Sequence, residues 1–119
     1  MPIKTKRIYE PPSKEDGYRI LVDRLWPRGL KKEDAHLDKW LKSIAPSSAL
    51  RTWIHSDQGN WDKFELRYLD ELKSSEGLPE LKALLKEHHT VTFLYAAKDE
   101  QHNHALVLKN LIFNLLKGK

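Results

Sequence analysis

Two short stretches of the chain concentrate residue types that can do chemistry. The first reads Gly17-Tyr18-Arg19-Ile20-Leu21-Val22-Asp23-Arg24-Leu25-Trp26-Pro27-Arg28-Gly29. An apolar run with the look of a buried strand gives way at once to a carboxylate, two guanidiniums and an indole. Charge at the end of a core strand is costly unless it is paired or used. Arg24 and Arg28 can hold a phosphate or carboxylate through parallel N–H donors. Asp23 can take a proton or orient a substrate group, and Trp26 offers a ring face. The structural alternative is an ion pair that closes the strand end, with an arginine stacked on Trp26.

The second stretch follows a later apolar run and carries Tyr95, Lys98, Asp99, Asn103 and His104. A helix is expected to begin here, and a helix start presents unpaired amides and partial positive charge to an anion. Lys98 adds a full charge, Asp99 is the expected N-cap, and Asn103 lies in the first turns. Tyr95 supplies a phenolic donor. His104 shares a helical face with Leu108, Leu111 and Leu115, which aims it at the sheet, where it is either a general acid or base or a core histidine held by one hydrogen bond. His102 is expected to be exposed.

Other chemistries find no support. The chain has no cysteine, which excludes disulfides, thiol nucleophiles and thiolate metal sites. The six histidines show no metal-ligand spacing, and neither a metal nor an organic cofactor is expected. Ser47-Ser48 with Arg51 reads as a helix cap, because no Gly-x-Ser-x-Gly elbow surrounds either serine. A glycine-rich phosphate loop is also missing. Of the four tryptophans, Trp40, Trp53 and Trp61 fall in helical apolar stripes, which leaves Trp26 as the candidate for a ligand surface.

The elements that must position these groups can be read from periodicity. Ile3 to Tyr9 is expected to be a first strand of imperfect alternation, hence an edge strand. Pro11-Pro12 cannot continue a ladder. The link to a second strand at Arg19–Val22 is about ten residues, near the minimum for a parallel crossover; a wide antiparallel hairpin competes, and the parallel reading is favoured. Leu37, Trp40, Leu41 and Ile44 at i, i+3, i+4 and i+7 predict a helix over Glu33–Ser43, stopped by Pro46. A short helix to His55 follows, burying Leu50, Trp53 and Ile54. Trp61, Phe64, Tyr68 and Leu72 mark a third helix, which Gly77 ends. Pro79 suits the first turn of a fourth helix, with Leu81, Leu84 and Leu85 inward. Thr90–Ala96 is a third strand, and a last helix runs from Glu100 to Leu116. Strands alternating with helices predict one α/β domain spanning residues 1–119, with a short, mainly parallel sheet of about three strands flanked by several helices. Ligands of such sheets bind beyond the carboxyl ends of the strands, which would gather Tyr9, Asp23-Arg24 and Lys98-Asp99 on one rim.

At 119 residues, 39% hydrophobic and 32% charged, the chain can build one core. It has no apolar run of ~18 residues able to span a membrane, and Met-Pro-Ile-Lys-Thr-Lys-Arg opens onto no apolar signal core, so a cytoplasmic location without membrane association is expected. The net charge of +4 is uneven: residues 1–59 hold 12 Lys/Arg against 8 Asp/Glu, and residues 60–119 hold 9 against 9. Positive charge near the Asp23-Arg24 stretch suggests an anionic partner.

The first stretch, together with Ala45-Pro46-Ser47 and Leu50-Arg51-x-Trp53, Trp61 with Phe64 and Arg67-Tyr68, and Leu94-Tyr95-Ala96-Ala97-Lys98-Asp99 with Asn103-His104-Ala105, resembles in order the blocks of the YeaO-like bacterial proteins, a domain of unknown function. The resemblance covers nearly the whole chain. It implies a small cytoplasmic α/β domain and no established reaction. The chain departs from the pattern at Ala49, where a glutamate is usual, and at Ser56-Asp57-Gln58, where His-Asp-Pro is usual. His55 is one place off and inherits no role. The leading expectation is an anion-binding pocket for a phosphate ester or nucleotide-like molecule, in an enzyme or the remnant of one. There Arg24, Arg28 and Lys98 would hold the charge, Asp23 or His104 would move a proton, and Tyr95 would donate a hydrogen bond. The alternatives are a nucleic-acid-binding module and a protein-interaction module with a structural charged rim. The edge strand is free to pair with a second copy.

Overall fold

In a computed structural model, which describes residues 2–99 and 102–117, four strands form one sheet: β1 (Ile3–Arg7), β2 (Tyr18–Leu21), β3 (Lys39–Trp40) and β4 (Val91–Tyr95). Their order is β1-β4-β2-β3 and every neighbouring pair is parallel. The sheet is α/β in class, with α1 (Lys32–Ala35), α2 (Ser48–Ile54), α3 (Trp61–Lys73), α4 (Gly77–Glu87) and α5 (His104–Lys117). None of these helices is long and apolar enough to cross a membrane.

β4 is central because it can be. All five of its residues are buried, Thr92 included, as the apolar run of a strand covered on both faces requires. The Thr92 hydroxyl donates to the Asp16 carbonyl at 2.7 Å, so its burial leaves nothing unsatisfied. Strand alternation then divides the apolar residues. Ile20, Val22, Phe93 and Tyr95 enter the main core with Phe64, Tyr68, Leu72, Leu81, Leu85, Leu108 and Ile112 from α3, α4 and α5. Leu21 and Leu94 enter a smaller cluster on the other face with Ile8 and Ala35, against which Trp26, Leu37 and Trp40 pack.

The β1–β2 connection is parallel in direction, but the two strands are not neighbours, since β4 lies between them. Gly17 makes the entry to β2 possible. Its φ is +65°, and a Cβ there would stand 2.3 Å from the Thr90 carbonyl oxygen, which accepts from the Tyr18 amide. β1 is an edge, as expected, and ends at Arg7 rather than Tyr9, where the Glu10 amide turns back to the Arg7 carbonyl at 3.1 Å.

The helix expected over Glu33–Ser43 does not form, and the sheet has a fourth strand instead. α1 stops at Ala35 and His36 takes a left-handed φ of 50°. Arg19, 4% exposed in the middle of β2, is the cause. Its guanidinium donates to the Ala35 carbonyl at 2.9 Å and the His36 carbonyl at 3.0 Å, while its backbone amide donates to the Asp38 carboxylate at 2.8 Å. The chain is thereby drawn alongside β2 as β3, and a single 3-10 turn at Lys42–Ile44 follows. The four stripe residues separate: Leu41 and Ile44 join the main core, Leu37 and Trp40 the opposite cluster.

The remaining helices are near their expected places. Ser47 caps α2 through the Leu50 amide, and Asn60 caps α3 through the Lys63 amide. Gly77 opens α4 rather than ending the segment before it. α5 begins at His104, with the Asn103 side chain accepting from the Leu106 amide at 2.8 Å, so Asn103 takes the capping role expected of Asp99. The helix start expected at Glu100 lies outside the described residues.

Candidate site at the carboxyl rim of the sheet

β2 and β4 are neighbours, and their extensions deliver Val22-Asp23-Arg24 and Ala96-Ala97-Lys98 to the same rim. Asp23 joins the two. Its Oδ2 accepts the Ala96 amide at 2.9 Å, and its carbonyl accepts the Trp40 indole at 2.8 Å. Its Oδ1 lies 2.9 Å from His104 Nε2, which is also 3.1 Å from the Val22 carbonyl oxygen. Both neighbours of Nε2 are acceptors, so that nitrogen carries the proton. The hydrogen bond is directed at Val22. Asp23 Oδ1 is buried and receives no directed hydrogen bond among the described residues, so its tie to His104 is electrostatic. The side chains are 17% (His104) and 14% (Asp23) exposed, which screens the pair from bulk water. His104 thus faces the sheet, as its helical position predicts.

Arg24 donates from Nε to the Pro46 carbonyl and from Nη2 to the Ala45 carbonyl, both at 3.3 Å. It holds the chain before α2 against the end of β2 and keeps further donors in hand. Arg28 is exposed, and its carbonyl accepts the Tyr9 hydroxyl at 2.8 Å. The Trp26 indole donates to the Leu30 carbonyl at 2.7 Å, and its ring meets Trp40 edge-on at 5.3 Å.

Two adjoining cavities open on this rim. One, of about 320 Å³, is walled by Tyr9, Trp26, Arg24 and Arg28. The other, of about 220 Å³, is walled by His55, Trp61, Phe64, His102 and Asn103. Asp23, Pro46, Arg51, Ala96 and His104 line both. The structure therefore brings together Asp23, Arg24, Trp26, Arg28, Asn103 and His104. Lys98 is exposed on the same rim but outside both walls, and Tyr95 lies in the main core at 3% exposure. Asp99 is bonded to the residues that precede α5: its Oδ1 accepts the His102 amide at 3.0 Å, and Asn103 Nδ2 donates to its carbonyl at 3.0 Å.

Sequence reasoning passed over Arg51, His55, Trp61 and His102. Arg51 and His55 are four residues apart across α2 and its C-cap, on one helical face, and that spacing was the available signal. The walls carry Arg24, Arg28 and Arg51 with three histidines, against Asp23 as the one carboxylate among the described lining residues. Among the described residues no three histidine, aspartate or glutamate side chains gather closely enough to hold a metal ion.

Residues 2–119 match a family model described as "Inactive DUF488-N3 subclade". The chain is similar to the uncharacterized protein YeaO of Escherichia coli K12, with 45% identity over 115 residues, 97% of this chain and 100% of that one. It is also similar to the uncharacterized protein Rv3073c of Mycobacterium tuberculosis H37Rv, with 39% identity over 110 residues, 92% of each chain. No solved structure matches.

Proposed function

This chain belongs to the YeaO-like DUF488 family, in the DUF488-N3 subclade described as inactive, and on that premise we propose that it binds a small anion, a phosphate ester, at the carboxyl rim of its sheet. The observation that carries the reading is the charge of the cavity walls, three guanidiniums against a single carboxylate among the described lining residues. That carboxylate is engaged by the Ala96 amide and the His104 ring, so it repels an incoming anion less than a free one. Arginine forks suit phosphate oxygens, and Arg51 lines both cavities with its guanidinium unpaired among the described residues. The subclade's description favours binding without turnover. In that role Asp23 and His104 shape the floor of the site instead of moving protons. Convergence of the guanidiniums on concave walls favours a small ligand over a nucleic acid laid across a flat basic face.

Calorimetric titration with inorganic phosphate and with ribose 5-phosphate tests this. Arg51→Ala should weaken binding by about 1.5–3 kcal/mol, the worth of a hydrogen bond to a charged group, which is roughly ten- to a hundredfold. Lys98→Ala, outside the walls, should change it little. Binding that is undiminished in Arg51→Ala, or absent in the wild type, removes the proposal.

A further inference from the structure

The two cavities share a border but differ in chemistry. The walls particular to the smaller are mostly rings: Trp61, Phe64, His55 and His102. The walls particular to the larger include two of the guanidiniums, on Arg24 and Arg28. Between them stand Asp23, Arg51 and His104. We infer that the rim is a two-part site for a free nucleoside monophosphate, with the base among the rings and the phosphate among the guanidiniums; this rests on the anion-binding reading and names its ligand class.

Three observations support it. Trp61 is only partly buried and is held in orientation from two sides. Phe64 meets it edge-on at 5.0 Å and His102 lies over it at 5.4 Å with a 31° tilt. A held aromatic ring is a stacking platform for a base, because every base has a π face. The His102 ring is itself held, with its Nδ1 3.4 Å from Asp99 Oδ2 and its amide bonded to Asp99 Oδ1, and its side chain remains 55% exposed. Finally, volumes of about 220 and 320 Å³ are each near or below the lower end of ligand cavities, ~300–1,000 Å³. A ligand in two linked parts uses both, and Arg51, which lines both cavities, stands where the two parts join. Acids other than Asp23 are absent from both walls among the described residues, so a dianionic phosphate meets little repulsion.

The test is titration of the full chain with adenosine 5′-monophosphate, uridine 5′-monophosphate, adenosine and ribose 5-phosphate, with tryptophan fluorescence as a second readout. The monophosphates should bind about tenfold or more tighter than ribose 5-phosphate and should quench Trp61, identified by loss of the quenched signal in Trp61→Phe. Trp61→Ala should bring the monophosphate down to the ribose 5-phosphate level and leave ribose 5-phosphate unchanged. Because Trp61 also packs on Phe64, His102→Ala serves as the second variant, on an exposed side chain. It should weaken the monophosphates several-fold and spare ribose 5-phosphate. If ribose 5-phosphate and the monophosphates bind equally well, the base site is overturned while the anion site stands. If nothing binds, both fall. Binding of oligonucleotides that tightens with length, beyond any monophosphate, overturns the free-nucleotide assignment in favour of single-stranded nucleic acid.

Discussion

Asp23 does two jobs with one carboxylate, and they can be separated by substitution. Oδ2 satisfies the Ala96 amide just past β4, and Oδ1 faces the His104 ring. Asp23→Ala strips the partner from a part-buried amide and removes the carboxylate that faces the imidazole. A lost partner of this kind costs ~1–3 kcal/mol, so urea denaturation of Asp23→Ala should show a loss in that range. Asp23→Asn retains an acceptor for Ala96 and should lose less. Equal stability of Asp23→Ala and wild type would mean that the Ala96 bond contributes nothing net. The position of this residue was legible in the sequence, since charge directly after an apolar strand must be paired or used. So was the inward aim of His104, from its place in the α5 stripe. The employment of Arg24 was not. Its fork bonds to the Ala45 and Pro46 carbonyls, and only the three-dimensional arrival of that segment at the end of β2 decides it.

Elements in this chain are set as much by distant polar groups as by local periodicity. Leu37, Trp40, Leu41 and Ile44 imitate a helical stripe because the chain passing along the sheet edge sends Leu37 and Trp40 to one side of the sheet and Leu41 and Ile44 to the other. What converts that stretch into β3 is Arg19 bonding the end of α1, a contact across the fold that periodicity cannot report. Caps are local, and Ser47 and Asn60 fall where their residue types place them. Arg19 needs a counter-charge, and Asp16, 5% exposed, provides it while also pairing with Lys6 of β1. Burial alone would raise the Asp16 carboxyl. Hydrogen bonds from the Ser13 amide, Lys6 and Arg19 outweigh it and hold the group below its ordinary 3.8. A carboxyl lowered by folding lends stability that is complete above its unfolded value and is lost as pH falls through the folded one. The wild type should therefore lose part of its denaturation free energy below about pH 4. Asp16→Asn should be less stable at neutral pH by about 3–5 kcal/mol, because it strands a buried guanidinium, and should show a flatter acid limb. An acid limb identical in both proteins would remove Asp16 from the account.

At the scale of the whole molecule the two faces of the sheet are unequally protected. Side chains of α2, α3, α4 and α5 fill the main core, while the opposite face holds a small cluster from α1 and the segment around it. That asymmetry predicts a gradient of local stability, because opening a region costs what its buried contacts supply. β4 is bonded on both edges and covered on both faces, so the Phe93 and Leu94 amides cannot exchange without disrupting the sheet. Residues of α1 can open by releasing one turn, the Arg19 bonds to its last carbonyls and a few apolar contacts. Native-state hydrogen exchange should place the β4 amides at the global unfolding free energy and those of α1 several-fold to orders of magnitude faster, with α3 and α4 nearer to β4. The site straddles this gradient: Asp23 and Ala96 sit at the ends of the stable strands, while Trp26 and Arg28 ride on the less protected side. Saturation with a ligand that engages Arg28 should therefore slow exchange around Trp26–Leu30 more than within β4, where protection is already limited by global unfolding. Exchange from α1 as slow as from β4 would show that the two faces open together and that the gradient does not exist.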